Sequence, residues 1–445
     1  MISSPISDVA EAQLKRKLPH RLSIIREFAL NTTAHALPGI ARSESLHNRI
    51  FWSLSFISFT GIMMYFVVKA ILAYFDYPTS MDTSFISEWP QEFPAFSFCN
   101  ISPLRFDLFR EPFENYSIMR NMTTGNGSIW DSVTFLDLTK FLIESLNRNE
   151  TLDKYSYSLS SMMYKCSFND IPCSVNDFIP FTSFVYGLCY TFNAALQNNT
   201  DRTIVYANQY GGDGKLSIGL YIHSHQYVPS LMEGFGAVGL LHDNTQLPSI
   251  ESAGVELASG KRHKLGYRKK TTYLLSSPYT TCTNKIPQNM QAMLEYYNNT
   301  NYGYSEMLCY QLCGQSYCSE CLQECVIKEF IVQTSSLSLP GKWEMEKIKK
   351  FVENSTVPLP TNWSSIWEDE IRENYLTINV VRETSVVENS TQSSSMGVVD
   401  VFSNIGGQTG LWIGISFLSI MELIEMLYRL IRNEFYIIRR KLQTN

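Results

Sequence analysis

Two long apolar runs fence off the middle of this 445-residue chain, and all ten of its cysteines lie between them. The first run, "FWSLSFISFTGIMMYFVVKAILAYF", extends from Phe51 to Phe75. Its one charge, Lys69, sits near an end, where a long side chain reaches back to the headgroups. The second, "GLWIGISFLSIMELIEMLYRL", extends from Gly410 to Leu430 and is long enough to cross a bilayer, yet holds Glu422 and Glu425. Lys15, Arg16, Lys17, Arg21, Arg26, Arg42 and Arg49 precede the first run. Arg429, Arg432, Arg439, Arg440 and Lys441 close or follow the second. The positive-inside rule then puts both termini in the cytosol and the stretch 76–405 outside.

Two independent features of that stretch agree. Cys99, Cys166, Cys173, Cys189, Cys282, Cys309, Cys313, Cys318, Cys321 and Cys325 all fall within it, an even count that reads as disulfides in an oxidising compartment. Glycosylation sequons crowd it at Asn100, Asn115, Asn121, Asn126, Asn149, Asn198, Asn298, Asn354, Asn362 and Asn389. The sequon at Asn31 falls on the cytosolic side and is expected to stay bare. The first fifty residues lack the charged, apolar and small-residue order of a secretory signal.

Between the runs the pattern is mixed α and β. "FPAFSFCN" (93–100) reads as a short strand. In "VTFLDLTKFLIESLN" (133–147), Phe135, Leu138, Phe141, Leu142 and Leu146 make one apolar helix face. Leu216, Ile218, Leu220 and Ile222 alternate along a strand over 216–222. "GVELASG" and "KKTTYLLSS" read as strands, and a last strand over 375–387 leads back to the membrane. The dense cluster "CYQLCGQSYCSECLQEC" contains Cys318-x-x-Cys321, a zinc spacing. Outside the cell the disulfide reading is preferred, with a nested set Cys282–Cys325, Cys309–Cys321 and Cys313–Cys318; spacing alone does not fix that pairing.

No catalytic constellation, cofactor motif or metal set stands out. His223 and His225 lie two apart on an expected strand, but convergent partners are missing. "GGDG" (211–214) is a turn rather than a phosphate loop. A net charge of −6 gives no reason to expect a nucleic-acid partner.

The two glutamates carry the functional argument. A carboxylate at the bilayer centre costs about 2.5–3.5 kcal/mol on insertion scales and usually faces a watery path. Glu422 and Glu425 are three apart, about 60° around a helix, so they share a flank. Gly414-Ile415-Ser416 lies one to two turns outward; small residues there permit close helix approach, or expose carbonyls where the helix breaks. Carbonyl rings followed by carboxylates filter cations. One helix cannot enclose a pore, so several copies are required. The plainer alternative is an anchor whose glutamates snorkel or pair with Arg429.

Together these stretches resemble the degenerin/epithelial sodium channel family, which includes the acid-sensing channels. "FALNTTAHALPGI" is similar to the family's His-Gly segment, "FPAFSFCN" to its post-helix signature, and "IGGQTGLWIGISFLSIMELIE" to its pore helix. The likeness covers roughly residues 25–432. It implies a membrane α plus extracellular α+β fold: two spans and a disulfide-rich ectodomain with a palm/β-ball core, helical finger and knuckle, and a thumb that is reduced in this chain. It implies a homotrimer or heterotrimer with related subunits, conducting sodium ions in the plasma membrane and blocked by amiloride. It implies a cytosolic N-terminus over 1–50, spans over 51–75 and 406–431, the ectodomain over 76–405 and a cytosolic tail over 432–445. Gly414, Ile415 and Ser416 are carried over as the selectivity stretch, Glu422 and Glu425 as pore carboxylates, and Gly407 as the small residue near the gate. Cys99–Cys189 and Cys166–Cys173 match family bridges.

Three points bear on gating. The family's His-Gly is His35-Ala36, where a methyl is expected to restrict the loop. Only "GQSY" separates Cys313 from Cys318, where acid-sensing relatives carry thumb helices, and their Asp-Glu pair reads Asp243-Asn244; Asp76 stands where they often have His. Proton gating is therefore disfavoured. Tyr74 and Tyr279 occupy the positions that couple ectodomain to pore. The resulting expectation is a channel, not an enzyme, opened by an extracellular ligand, with a short neuropeptide as first candidate by analogy. An ATP-gated trimeric channel and a poreless anchored receptor are the rivals.

Overall fold

A computed structural model describes residues 20–120, 130, 134–196, 204–229, 234–297, 299–313, 321–338 and 340–443. In chain order the described helices of seven or more residues are α1 (His20–Asn31), α2 (Ala36–Arg42), α3 (Leu46–Phe75), α4 (Phe106–Met119) and α5 (Phe135–Asn147), then α6 (Gln288–Tyr296), α7 (Glu306–Cys313), α8 (Lys342–Glu353), α9 (Trp363–Asn374), α10 (Val398–Ile413) and α11 (Phe417–Gln443). The strands are β1 (Thr79–Ser87), β2 (Ala95–Asn100), β3 (Met163–Phe168), β4 (Ile171–Pro172), β5 (Phe178–Ser183), β6 (Gly187–Phe192) and β7 (Lys215–Tyr221), followed by β8 (Gly236–His242), β9 (Val255–Ala258), β10 (Lys261–Tyr273), β11 (Val326–Ser338), β12 (Tyr375–Arg382) and β13 (Val386–Ser394). They divide into two compact units, 81–392 and the two chain ends, 1–80 with 393–445.

The 81–392 unit is built on two sheets. One runs β1-β13-β10-β12-β7-β3-β4, with β11 added to β10; the other runs β5-β6-β2-β8-β9. An aromatic core including Phe93, Phe96, Phe98, Phe178, Phe192 and Tyr267 joins residues of both sheets. Cover on both faces explains the strands that the alternation rule describes poorly. Every residue of β2 is buried, because β6 and β8 flank it and both its faces are covered. The same holds for most of β7, between β3 and β12. The last expected strand is two strands, β12 and β13, parted at 383–385.

Around the sheets lie helical layers. α4 and α5 bury Phe109, Phe113, Leu138 and Phe141 against Trp130 and Tyr155. Thr134 starts α5 with a reciprocal cap, its side chain and backbone both bonding Asp137. Leu146, placed on the apolar face by its spacing, is 50% exposed. α8 and α9 cover Tyr221 and Tyr375 with Ile348, Val352 and Ile371. Disulfides Cys99–Cys189, Cys166–Cys173, Cys282–Cys325 and Cys309–Cys321 staple this unit. Cys313–Cys318 lies outside the described residues, as does all of "GQSY".

Two expectations are corrected here. Asn100 is only 3% exposed: its amide donates to the Ile222 carbonyl at 3.0 Å and accepts the Tyr227 hydroxyl. A side chain so enclosed cannot carry a glycan. Asn115, Asn149, Asn354 and Asn362 are exposed and Asn389 is half-buried in β13, whereas Asn121, Asn126, Asn198 and Asn298 lie outside the described residues. His223 and His225 are not on a strand. β7 stops at Tyr221, His223 is left-handed at φ 54°, and His225 sits in a single 3-10 turn. Their Nε2 atoms meet the backbone carbonyls of Ser161 and Pro358 at 2.9 and 2.8 Å. Among the described residues no three His, Cys, Asp or Glu side chains gather as a metal site.

Candidate pore segment

Among its described residues the chain-end unit contains one helix, α3, long and apolar enough to cross a membrane, or two such spans if α10 and α11 count as one bent span. α3 has 30 residues, about 45 Å at 1.5 Å per residue. Its apolar side chains face outward, with only Met63 buried. Phe59 and Phe66 stack on Trp412 of α10 at centroid distances of 6.0 and 6.1 Å. Trp412 is oriented in turn by its indole N–H, which donates to Gln408 at 2.8 Å.

The second apolar run is not one continuous helix. α10 ends and α11 begins across 414–416, and the axis turns by 73°. The cause is local. Gly414 adopts φ +71°, ψ 22°, a left-handed cap where any other side chain is strained. Its N–H bonds the Gly410 carbonyl at 3.1 Å, and the Ile415 N–H bonds that of Thr409 at 3.3 Å. Ser416 then opens α11: its N–H donates to the Ser419 hydroxyl at 3.0 Å, and the Ser419 N–H returns to the Ser416 hydroxyl at 3.4 Å. Sequence reasoning put the selectivity stretch at these three residues; in the structure they are the break itself.

The segment ahead of α2 packs on this break. The His35 N–H donates to the Ile413 carbonyl at 3.1 Å. The His35 ring lies so close to Gly414 that an added Cβ would stand 2.8 Å from it. The Thr33 N–H donates to the Glu422 carboxylate at 3.0 Å, and the Thr33 and Ser419 hydroxyls are 2.5 Å apart. Thr32, Ala34, Ile413 and Ser419 are all buried. Thr33 and Ser419 were not singled out in the sequence, although "NTT" before a short helix and Ser-x-x-Ser at a helix start are both capping signals. Ala36 opens α2 in ordinary helical geometry. A methyl is at ease there, so the expected backbone restriction does not arise.

Glu422 and Glu425 do not share one environment. Glu425 pairs with Arg429 at 2.7 Å, one turn on, and Arg429 also reaches Glu27 at 3.3 Å. These groups line a cavity of about 250 Å³ between α1 and α11, with Phe28, Thr32 and Met426 among its walls. The pairing with Arg429 that the anchor reading invokes is thus present for Glu425, while Glu422 is held by Thr33. Gly406, Gly407 and Gly410 have open space where a Cβ would be. Tyr74 packs edge-on against Phe75, at 5.4 Å. Tyr279, in the other unit, closes a turn through its N–H to Ser276.

In the 81–392 unit the Asp243-Asn244 pair is structural. Asp243 caps Thr245 and meets Lys328 at 3.1 Å; the Asn244 amide donates to the Phe93 and Asn193 carbonyls at 3.0 and 2.6 Å. Burial works to lower the Lys328 pKa, but Asp243 and Glu92 outweigh it and hold the ammonium charged. Burial pushes His223 down to about 3 and His242 down to about 4, so both rings are neutral in mild acid.

Comparison with known proteins adds the following. A family model described as "Amiloride-sensitive sodium channel" matches residues 28–318 and 314–426. Acid-sensing ion channel 1C of Danio rerio is 24% identical over 466 residues, covering 93% of this chain and 85% of that protein. Acid-sensing ion channel 1 of Gallus gallus is 25% identical, covering 92% and 84%. The epithelial sodium channel subunit gamma of Bos taurus is 24% identical over 61% of this chain, which spans about half (47%) of that subunit's length.

Proposed function

Because this chain belongs to the amiloride-sensitive sodium channel family, whose members are ion channels rather than enzymes, we propose that it is one subunit of a trimeric, sodium-selective, amiloride-blocked channel of the plasma membrane. α3 and the bent α10–α11 pair are its two spans. Both termini are cytosolic and the disulfide-stapled unit is extracellular, as the flanking Lys and Arg require. The carrying observation is the break at 414–416 with Glu422 following it on α11. Copies of this segment around an axis would present backbone and hydroxyl oxygens at the turn, then a ring of carboxylates. The uncovered glycines 406, 407 and 410 suit close approach between copies. Gly407 is the gate-adjacent position, and Tyr74 with Tyr279 the coupling pair.

The opening signal in this reading is an extracellular ligand other than protons, a short neuropeptide being the first candidate. Support comes from the charges. A carboxylate proton sensor needs acids pressed together so that one pKa rises. Asp243 instead faces Lys328, and the buried histidines stay neutral. The test is whole-cell recording from the chain expressed alone and with related subunits, under acid, peptide pools and amiloride. An amiloride-sensitive sodium current evoked by peptide and not by acid is expected. No such current in any combination, or one evoked by acid alone, refutes the reading.

A further inference from the structure

The α5 lobe and the β5–β6 turn enclose a second cavity, of about 210 Å³, that nothing above uses. Its wall is apolar, made by Leu104, Leu138, Leu142, Leu188 and Val228. Its rim holds two groups of another kind, Asp153 and Phe184. From these we propose that the cavity binds an amphipathic monocation: a ring or branched chain of one side chain's size, joined by a few bonds to an ammonium. This deepens the ligand-opened reading and rests on it only for the side from which the ligand arrives.

Size comes first. Apolar cavities near 150 Å³ admit a benzene ring, so this one takes a phenyl group and a short linker but not a larger molecule. Charge comes second. The Asp153 carboxylate makes no ion pair or hydrogen bond among the described residues. The neighbouring cation is committed elsewhere: Lys154 bonds Glu150 at 2.5 Å and lies over the Tyr155 ring at 4.7 Å. A lone carboxylate beside an apolar hole selects a cation with an apolar tail.

The aromatic rim is the third observation. Phe184 is 76% exposed, yet it is not on a loose loop. Glu251 accepts the Ser183 hydroxyl at 2.6 Å and the Phe184 N–H at 2.9 Å. The Ser183 hydroxyl in turn accepts the N–H groups of Val185 and Tyr186 at 3.2 and 3.0 Å. Gly187 closes the turn at φ +69°, so near Pro103 that a Cβ would stand 2.9 Å from its carbonyl oxygen. Five fixed points thus hold the backbone of the turn at the cavity and leave the Phe184 ring in solvent beside it. A ring carried there offers a cation–π contact to a ligand that enters. Ile143, 50% exposed on α5, gives the cavity an apolar lip.

The test is equilibrium binding to the detergent-solubilised full chain, read by calorimetry. The probes are 2-phenylethylamine and the peptide Phe-Gly-Gly-amide, each against its neutral counterpart, 2-phenylethanol and the N-acetyl peptide. Both cations should bind saturably and at least about tenfold more tightly than their neutral forms, the strength of a charge-assisted contact; whichever is tighter shows whether free amines or peptide ends are preferred. D153N should erase that preference, F184A should weaken both cations, and I143W, at a half-exposed position, should fill the mouth and abolish binding. Melting of the unliganded variants should match the parent. The proposal fails if neither cation binds, if neutral and charged probes bind alike, or if D153N and I143W bind as the parent does. Binding that persists in a preparation giving no amiloride-sensitive sodium flux in vesicles supports the site and counts against the channel reading alone.

Discussion

Phenylalanines are treated in opposite ways by the two units. In the 81–392 unit Phe93, Phe96, Phe98, Phe109 and Phe113 are each at most 1% exposed. At the chain ends Phe51, Phe75, Phe402 and Phe417 are 59–88% exposed. The first unit carries its own core and, among the described residues, four staples, all within one chain. The second is apolar on the outside and, besides the stack of Phe59 and Phe66 on Trp412, its segments meet through polar contacts at Thr33–Glu422, His35–Ile413 and Arg429–Glu27. In the proposed channel its burial comes from lipid and from further copies.

The sharpest way to break this contrast is a matched pair of truncations. F98A should destabilise the purified chain by about 3–5 kcal/mol, as removal of a fully buried ring does. F402A, at 70% exposure, should change detergent stability by less than about 0.5 kcal/mol. Equal losses in a thermal unfolding series would mean that the chain ends hold a packed core of their own.

Acid separates the units next. His223 and His242 are held below their ordinary 6.5, at about 3 and about 4. The unfolded chain therefore binds protons that the folded one refuses. Stability from this source is whole above pH 6.5 and drains as pH falls toward 4 for His242 and toward 3 for His223, by at most about 1.4 kcal/mol per pH unit for each ring. H242Q should flatten the melting curve of the 81–392 unit against pH. A slope that H242Q leaves unaltered would assign acid sensitivity to other groups.

Smaller effects probe the break. G414A places a methyl at φ +71° and against the His35 ring, at about 1–2 kcal/mol for the backbone alone. Reversal-potential measurements should show sodium preference over potassium reduced, and unchanged selectivity would remove residue 414 from the filter. The smallest contrast lies between the two acids. E422Q, which deletes a charge without an ion-pair partner, should lower unitary sodium conductance. E425Q, already offset by Arg429, should lower it less. The reverse ranking would move the conducting flank of α11 toward Glu425.

Much of the architecture was legible in the residues because segregation is a coarse signal. Cysteines and apolar runs sort a chain into compartments without any knowledge of geometry. β2 and α5 were legible for the same reason, as apolar residues bounded by turn signals and a cap. The rest depended on long-range pairing. Alternation along β7 predicts one buried face, but the aromatic core covers Leu216, Ile218 and Leu220 on one side and α8 and α9 cover Tyr221 on the other. Asn100 has a perfect sequon, and only the fold shows Ile222 and Tyr227 consuming its amide. At the pore segment, Gly414 and the two glutamates stood out as anomalies in an apolar run. Thr33 did not, because its meaning is a hydrogen bond to a residue 389 positions away.

That separation has a consequence for synthesis. As the ribosome works, residues 33–35 emerge long before their partners at 413–422. The amino-terminal latch must wait, empty-handed, while the entire disulfide-stapled unit is translated and oxidised. A premature stop between Ser394 and Gly414 would leave the 81–392 unit whole and residues 33–35 without the partners they grip.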